Sequence, residues 1–87
     1  MMPWRVRIAH RAERDLARLS PEEARRVLDT LERAALDPGS AQLAKLEGGG
    51  NRWRLRVGNR RVLLDLDNRA GVITVTRVLD RRDAYRR

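Results

Sequence analysis

Eighty-seven residues, 37% of them charged and with a net charge of +8, make a single small basic domain spanning residues 1–87. The absence of cysteine excludes disulfides and thiolate metal sites, and a lone histidine, His10, excludes a histidine cluster or a two-histidine acid–base scheme. No apolar run reaches the length of a membrane span and no signal-peptide core follows the N-terminus, so the chain reads as soluble and cytoplasmic, with no membrane partner.

Pro3 to Ala9 alternates, with Trp4, Val6 and Ile8 against Arg5 and Arg7, which predicts a half-buried first strand. From there the period changes. Ala9, Ala12, Leu16 and Leu19 share one face of a helix, while Glu13, Arg14, Asp15 and Arg18 take the wet side. Ser20-Pro21-Glu22-Glu23 starts a second helix, with Ser20 as N-cap, Pro21 at the first helical position and Glu23 closing a capping box. That helix runs on Ala24, Val27, Leu28, Leu31, Ala34 and Ala35 until Asp37-Pro38-Gly39 ends it. Residues 39–51 read as a loop, anchored by Leu43 and Leu46 and hinged at Gly48-Gly49-Gly50.

Arg52 to Val57 again alternates: Trp53, Leu55 and Val57 on one side, Arg52, Arg54 and Arg56 on the other. Gly58-Asn59 is turn chemistry, and Val62 to Leu66 supplies a second β-rich run. Asn68-Arg69-Ala70-Gly71 makes the next turn, Val72 to Leu79 the last strand, and Asp80 to Arg87 a charged tail. The expected order is β-α-α-β-β-β, an α+β fold. Its helical hairpin packs on one face of a small, mainly antiparallel sheet, and the other face is open and basic.

With no Phe, two Trp and one Tyr, the core must be built from Leu, Val, Ile and Ala. Charge is distributed unevenly. Residues 1–50 hold nine basic and eight acidic side chains, a net of +1; residues 51–87 hold eleven and four, a net of +7. A solvated, arginine-rich surface accounts for Arg supplying 19 of the 20 basic residues, but it does not account for this asymmetry, which suits a polyanionic partner. Trp4 and Trp53 belong to the core by their spacing, and His10, at a strand–helix junction, reads as a surface or capping residue. Asp65 and Asp67 sit beside Asn68 and read as strand-end and turn residues. Tyr85 can either dock the tail or act in a site.

Three stretches carry a resemblance: Ala9 to Leu19; Lys45-Leu46-Glu47-Gly48 through Arg54-Leu55-Arg56-Val57-Gly58-Asn59-Arg60-Arg61-Val62; and Arg81-Arg82-Asp83-Ala84-Tyr85. In order and spacing the chain resembles the RelE/ParE superfamily of toxins from type II toxin–antitoxin pairs, and is more similar to its RelE branch. The resemblance implies an mRNA endoribonuclease, working in the ribosomal A site without metal or other cofactor, in which the 2′-hydroxyl of the message attacks the adjacent phosphate. Its partners would be mRNA, the ribosome and a cognate antitoxin protein bound in a hetero-oligomer. Carried over, the catalytic residues are Arg54, Arg61, Arg81 and Tyr85, with Arg52, Arg56, Arg60 and Arg82 binding RNA. A cage of guanidinium forks suits the charge that builds on phosphate oxygens under attack. Positions 52 and 54 carry Arg where studied members carry Lys. Because Arg holds its proton, these positions can stabilise charge but not exchange protons, which by elimination points to Tyr85. Asp80 stands where His is frequent, and Arg60 where an aromatic is. Two other readings differ in class: a ParE-like inhibitor of DNA gyrase, and a non-catalytic basic module that docks an acidic antitoxin or nucleic acid.

Overall fold

A computed structural model describes residues 4–40, 43–46 and 50–80. Strand β1 (Arg5–Ile8) leads through Ala9 into helix α1 (His10–Ala17), and Ser20 opens helix α2 (Pro21–Leu36). The capping box forms as its residue pattern requires. Ser20 Oγ accepts from the Glu23 N–H, and Glu23 Oε1 accepts from the Ser20 N–H, both at 3.2 Å. After α2, a 3₁₀ turn at Pro38–Ser40 precedes β2 (Leu43–Lys45), β3 (Arg52–Val57), β4 (Arg60–Asp67) and β5 (Val72–Asp80).

Among the described residues these strands form one sheet in the order β1-β5-β4-β3-β2. The β1–β5 pair is parallel and the other pairs are antiparallel. The expected α+β architecture is present, with one strand added. β2 lies in the stretch expected to be loop, and pairs Leu43 with Leu55, Ala44 with Arg54 and Lys45 with Trp53. Three residues are too few to show a period, so only the ladder reveals the strand. Of the glycines expected as a hinge, Gly50 has a positive φ of 74°, and Gly48 and Gly49 lie outside the described residues. The tail from Arg81 lies outside them as well.

The turns follow from local chemistry. Gly58, with φ of +57°, stands first in a two-residue loop between the paired Val57 and Arg60, where the hairpin twist calls for positive φ. Asp67 Oδ1 accepts from the N–H groups of Arg69 (3.1 Å) and Ala70 (3.0 Å), which folds the β4–β5 turn back on itself. Asp67 is a turn residue, as expected.

Both helices cover one face of the sheet. Ala12 of α1 and Val27, Leu31 and Ala35 of α2 pack on Leu55, Val57, Val62, Leu64, Ile73, Val75 and Val78, with Trp4, Trp53, Leu16, Leu19 and Leu43 around them. Both tryptophans therefore serve the core. β1 is more open than its alternation suggests: Val6 remains 37% exposed, because β1 is an edge strand with one neighbour. No helix among the described residues is long and apolar enough to cross a membrane.

Candidate functional site

The β3–β4 register decides where the arginines go. Trp53 lies opposite Leu64 and Leu55 opposite Val62 on the covered face, so Arg52, Arg54 and Arg56 fall on the open face. There Arg54 lies opposite Leu63, Arg52 opposite Asp65, and Arg56 directly opposite Arg61. Side chains so placed start about 5 Å apart, and two like charges in that relation repel. Leu79, across from Arg61 on β5, brings no countercharge.

The arginines of this face differ in exposure. Arg52 and Arg56 are exposed and Arg54 is half-buried. Arg61 is buried, at 4% exposure, and its Nη1 donates to the Arg60 carbonyl at 3.4 Å. A buried cation in a well-packed fold fixes a positive potential with little freedom to move. Open-face arginines therefore come in two kinds: mobile at the rim, and fixed beneath it at Arg61.

Arg60 departs from the expected row. Its cross-strand partner is Val57, which puts it on the helical side, and there it bridges two elements. Nη2 lies 2.8 Å from Glu23 Oε2 on α2, and Nη1 lies 3.2 Å from Asp80 Oδ2 on β5. The hydrogen bond from Arg60 holds the Glu23 carboxyl below the usual carboxylate range, helped by the Ser20 N–H. The sequence between Arg52 and Arg61 contains no acid, but the fold brings two acids to Arg60 from 20 and 37 residues away. Asp80, which stands where His is frequent in the superfamily, makes one of these pairs.

A second knot went unseen in the sequence. β1 accompanies β5 only as far as Val75, and a register shift follows at Leu63/Leu64, where Leu64 faces Val75 and Leu63 faces Arg77. Thr76, the extra residue, donates its hydroxyl to the Leu63 carbonyl at 3.1 Å. Past this bulge Asp15 of α1 substitutes for a strand partner. Its Oδ2 accepts from the Val78 N–H (2.9 Å) and from Arg77 Nε (2.8 Å), and Oδ1 from Arg77 Nη2 (3.3 Å). Burial acts to raise the Asp15 pKa, but those hydrogen bonds and the cations of Arg77 and Arg18 outweigh it, and the net shift is downward. Residues 62 and 63 apart in sequence carry no shared local signal.

His10 is exposed and lies 3.6 Å from Glu13 on the same helix, a surface residue as expected. Arg81, Arg82 and Tyr85 lie outside the described residues. The structure thus brings Arg54, Arg56 and Arg61 together on one face, with Arg52 at its end beside Asp65, and it removes Arg60. What the face can do chemically is attract and hold anionic oxygens. Guanidinium groups supply forked donors and fixed charge, but they do not exchange protons.

Among curated proteins none matches the sequence. Solved structures do. The toxin–antitoxin complex RelBE2 from Mycobacterium tuberculosis contains a chain 25% identical, with a TM-score of 0.82, covering 93% of this chain and 94% of that one. The archaeal RelE–RelB complex from Pyrococcus horikoshii contains one 27% identical, with a TM-score of 0.78 and coverages of 92% and 97%. The intact RelBE complex of E. coli shares the fold at 18% identity, with a TM-score of 0.74 and coverages of 88% and 95%. Residues 6–85 match the profile of the ParE toxin of type II toxin–antitoxin systems. This match extends over nearly the whole sequence, and the chain belongs to that family of toxins, within the RelE/ParE superfamily.

Proposed function

We propose that this toxin is an endoribonuclease that cuts mRNA in the ribosomal A site, and that a cognate antitoxin holds it inactive. One observation carries the reading. On the open face Arg56 stands against Arg61 with Arg54 beside them, and no acid of the paired strands opposes these three. An arrangement of like charges that repels when empty is stabilised by an anion with several oxygens, and a phosphodiester under attack is such an anion. Two relatives at 25% and 27% identity come from complexes of RelE-type toxins with their antitoxins, which supports both the branch and the partner.

In this mechanism the 2′-hydroxyl attacks the neighbouring phosphorus, the bond to the 5′-oxygen breaks, and the products are a cyclic phosphate and a 5′-hydroxyl end. Arg54 and Arg61 stabilise the charge on the non-bridging oxygens, with Arg81 from the tail. Arg52, Arg56 and Arg82 hold flanking phosphates. Arg60 contributes only indirectly, by fixing β4. Tyr85 takes the 2′-hydroxyl proton. The attack needs no metal.

A translation reaction followed by primer extension on the message tests the proposal. Cuts spaced by codons, dependent on ribosomes and lost in Arg54→Ala, are expected. The matching ParE profile favours a second reading, inhibition of DNA gyrase. Intact message together with cleaved plasmid in the presence of gyrase would establish that reading and overturn the first.

A further inference from the structure

Beside α1, at the edge of β5 beyond the end of β1, a surface cavity of about 230 Å³ is lined by Arg11, Arg14, Asp15, Arg18 and Arg77. Every lining residue is charged. Four guanidinium groups against one carboxylate give a net of +3 (4 − 1), and that carboxylate is already committed to Arg77 and the Val78 N–H. Arg11, Arg14 and Arg18 are exposed, and none of the three is ion-paired among the described residues. Asp15 therefore acts as an internal clamp. It fixes Arg77 and the edge of β5 as one wall, and the exposed Arg11, Arg14 and Arg18 line the rest.

We propose that Arg11, Arg14 and Arg18 form a second phosphate site that takes the sugar–phosphate backbone of a folded RNA strand. The proposal rests on the reading of the protein as a toxin that acts on RNA. The three residues are spaced by three and four along α1 and its C-cap, so they follow one side of the helix. Over seven residues the row is about 10 Å long, enough to meet more than one phosphate of a strand. A protein partner would need an apolar anchor at the centre of its contact, and this cavity offers none. Forked guanidinium groups on a rigid helix suit phosphate oxygens, and such contacts fix register without reading sequence. RNA held here would leave the open face free, so the toxin would grip folded RNA on one side and work on the message with the other.

The test uses the full chain and a fluorescent RNA hairpin that is 2′-O-methylated throughout, so that cleavage by an internal hydroxyl is impossible. Anisotropy is followed from low to moderate KCl for the wild type and for Arg11→Gln/Arg14→Gln/Arg18→Gln. The triple variant should bind more weakly, with its log–log salt slope reduced by about one for each phosphate that is no longer neutralised. All three positions are exposed, so an unchanged thermal transition is expected. If the triple variant fails to fold, Arg14→Gln alone should lower the slope by about one. Wild-type affinity and slope in the folded variant would overturn the proposal. So would saturation of the site by inorganic phosphate without any effect on hairpin binding, or binding of an acidic peptide while the hairpin is ignored. Because the hairpin cannot be cut, loss of binding here and loss of message cleavage in Arg54→Ala are separate failures.

Discussion

The two faces of the sheet are built from the same strands, yet they use arginine in opposite ways. On the covered face Arg60 is taken up in cross-linking: Glu23 and Asp80 fix it between α2 and β5. At the edge of β5 Asp15 of α1 does the same for Arg77. On the open face Arg54, Arg56 and Arg61 stand together with no acid of the ladder set against them. Adjacent residues, Arg60 and Arg61, thus fall on opposite sides of one strand and take opposite roles. The difference shows that basicity counted along a sequence overstates the charge left for a ligand. What matters is which cations the fold has already matched.

The comparison breaks most sharply where a face is emptied of its main content. Leu64 is fully buried beneath the helices, so Leu64→Ala should destabilise the protein by about 2–5 kcal/mol. Urea unfolding measures the loss, and activity per folded molecule should be unchanged. Next in size is Arg54→Ala, which removes one donor from the developing charge. Cleavage should fall about 10²–10³-fold, and the unfolding midpoint should move far less than in Leu64→Ala, because the side chain is only half-buried. If both readouts fall together, the open face is structural and the contrast fails.

Asp15→Ala should cost about 1.5–3 kcal/mol, since it leaves the Val78 N–H without its acceptor and takes the carboxylate from a partly buried guanidinium. Its pH dependence has a definite sign. The folded pKa lies below the ordinary carboxylate value, so the stabilisation is complete above that value. It is lost as pH falls below about 4 through the folded value. Unfolding curves of wild type and Asp15→Ala should therefore converge in acid. Constant separation down to about pH 2 would show that Asp15 acts through packing alone. The smallest effect is that of Ser20→Ala, about 1 kcal/mol from loss of the helix cap, again with unchanged cleavage.

What was legible in the sequence was what local rules govern. The capping box at Ser20, the stripe from Val27 to Ala35 and the alternation from Arg52 to Val57 each repeat within a few residues, and each formed. Gly58-Asn59 fixed the hairpin register, and with it the face on which Arg54 and Arg56 lie. The rest was written in distance. β2 is defined by its partner rather than by its own three residues. The ties of Arg60 to Glu23 and of Asp15 to Arg77 join residues 37 and 62 apart. No window along the chain contains both ends of such a pair, so the burial of one arginine and the retirement of another could be seen only once the strands were in place.

The position of β5 has a consequence for how the molecule acquires its shape. Among the described residues every other strand precedes it, yet in the sheet it stands between β1 and β4, and Arg5 finds its ladder partner only at Val72. A loop of that length closes late, because contacts distant along the chain must first overcome the entropy of joining them. While the chain is being synthesised, the β3–β4 hairpin can form as soon as it emerges, but β1 has nothing to pair with until β5 follows. Pulse-labelled hydrogen exchange during refolding should accordingly find the amides of Leu55 and Val62 protected before those of β1. The partly made toxin would pass through a stage with its arginine hairpin formed and its frame still open, so the moment of completion is set by the strand that emerges last.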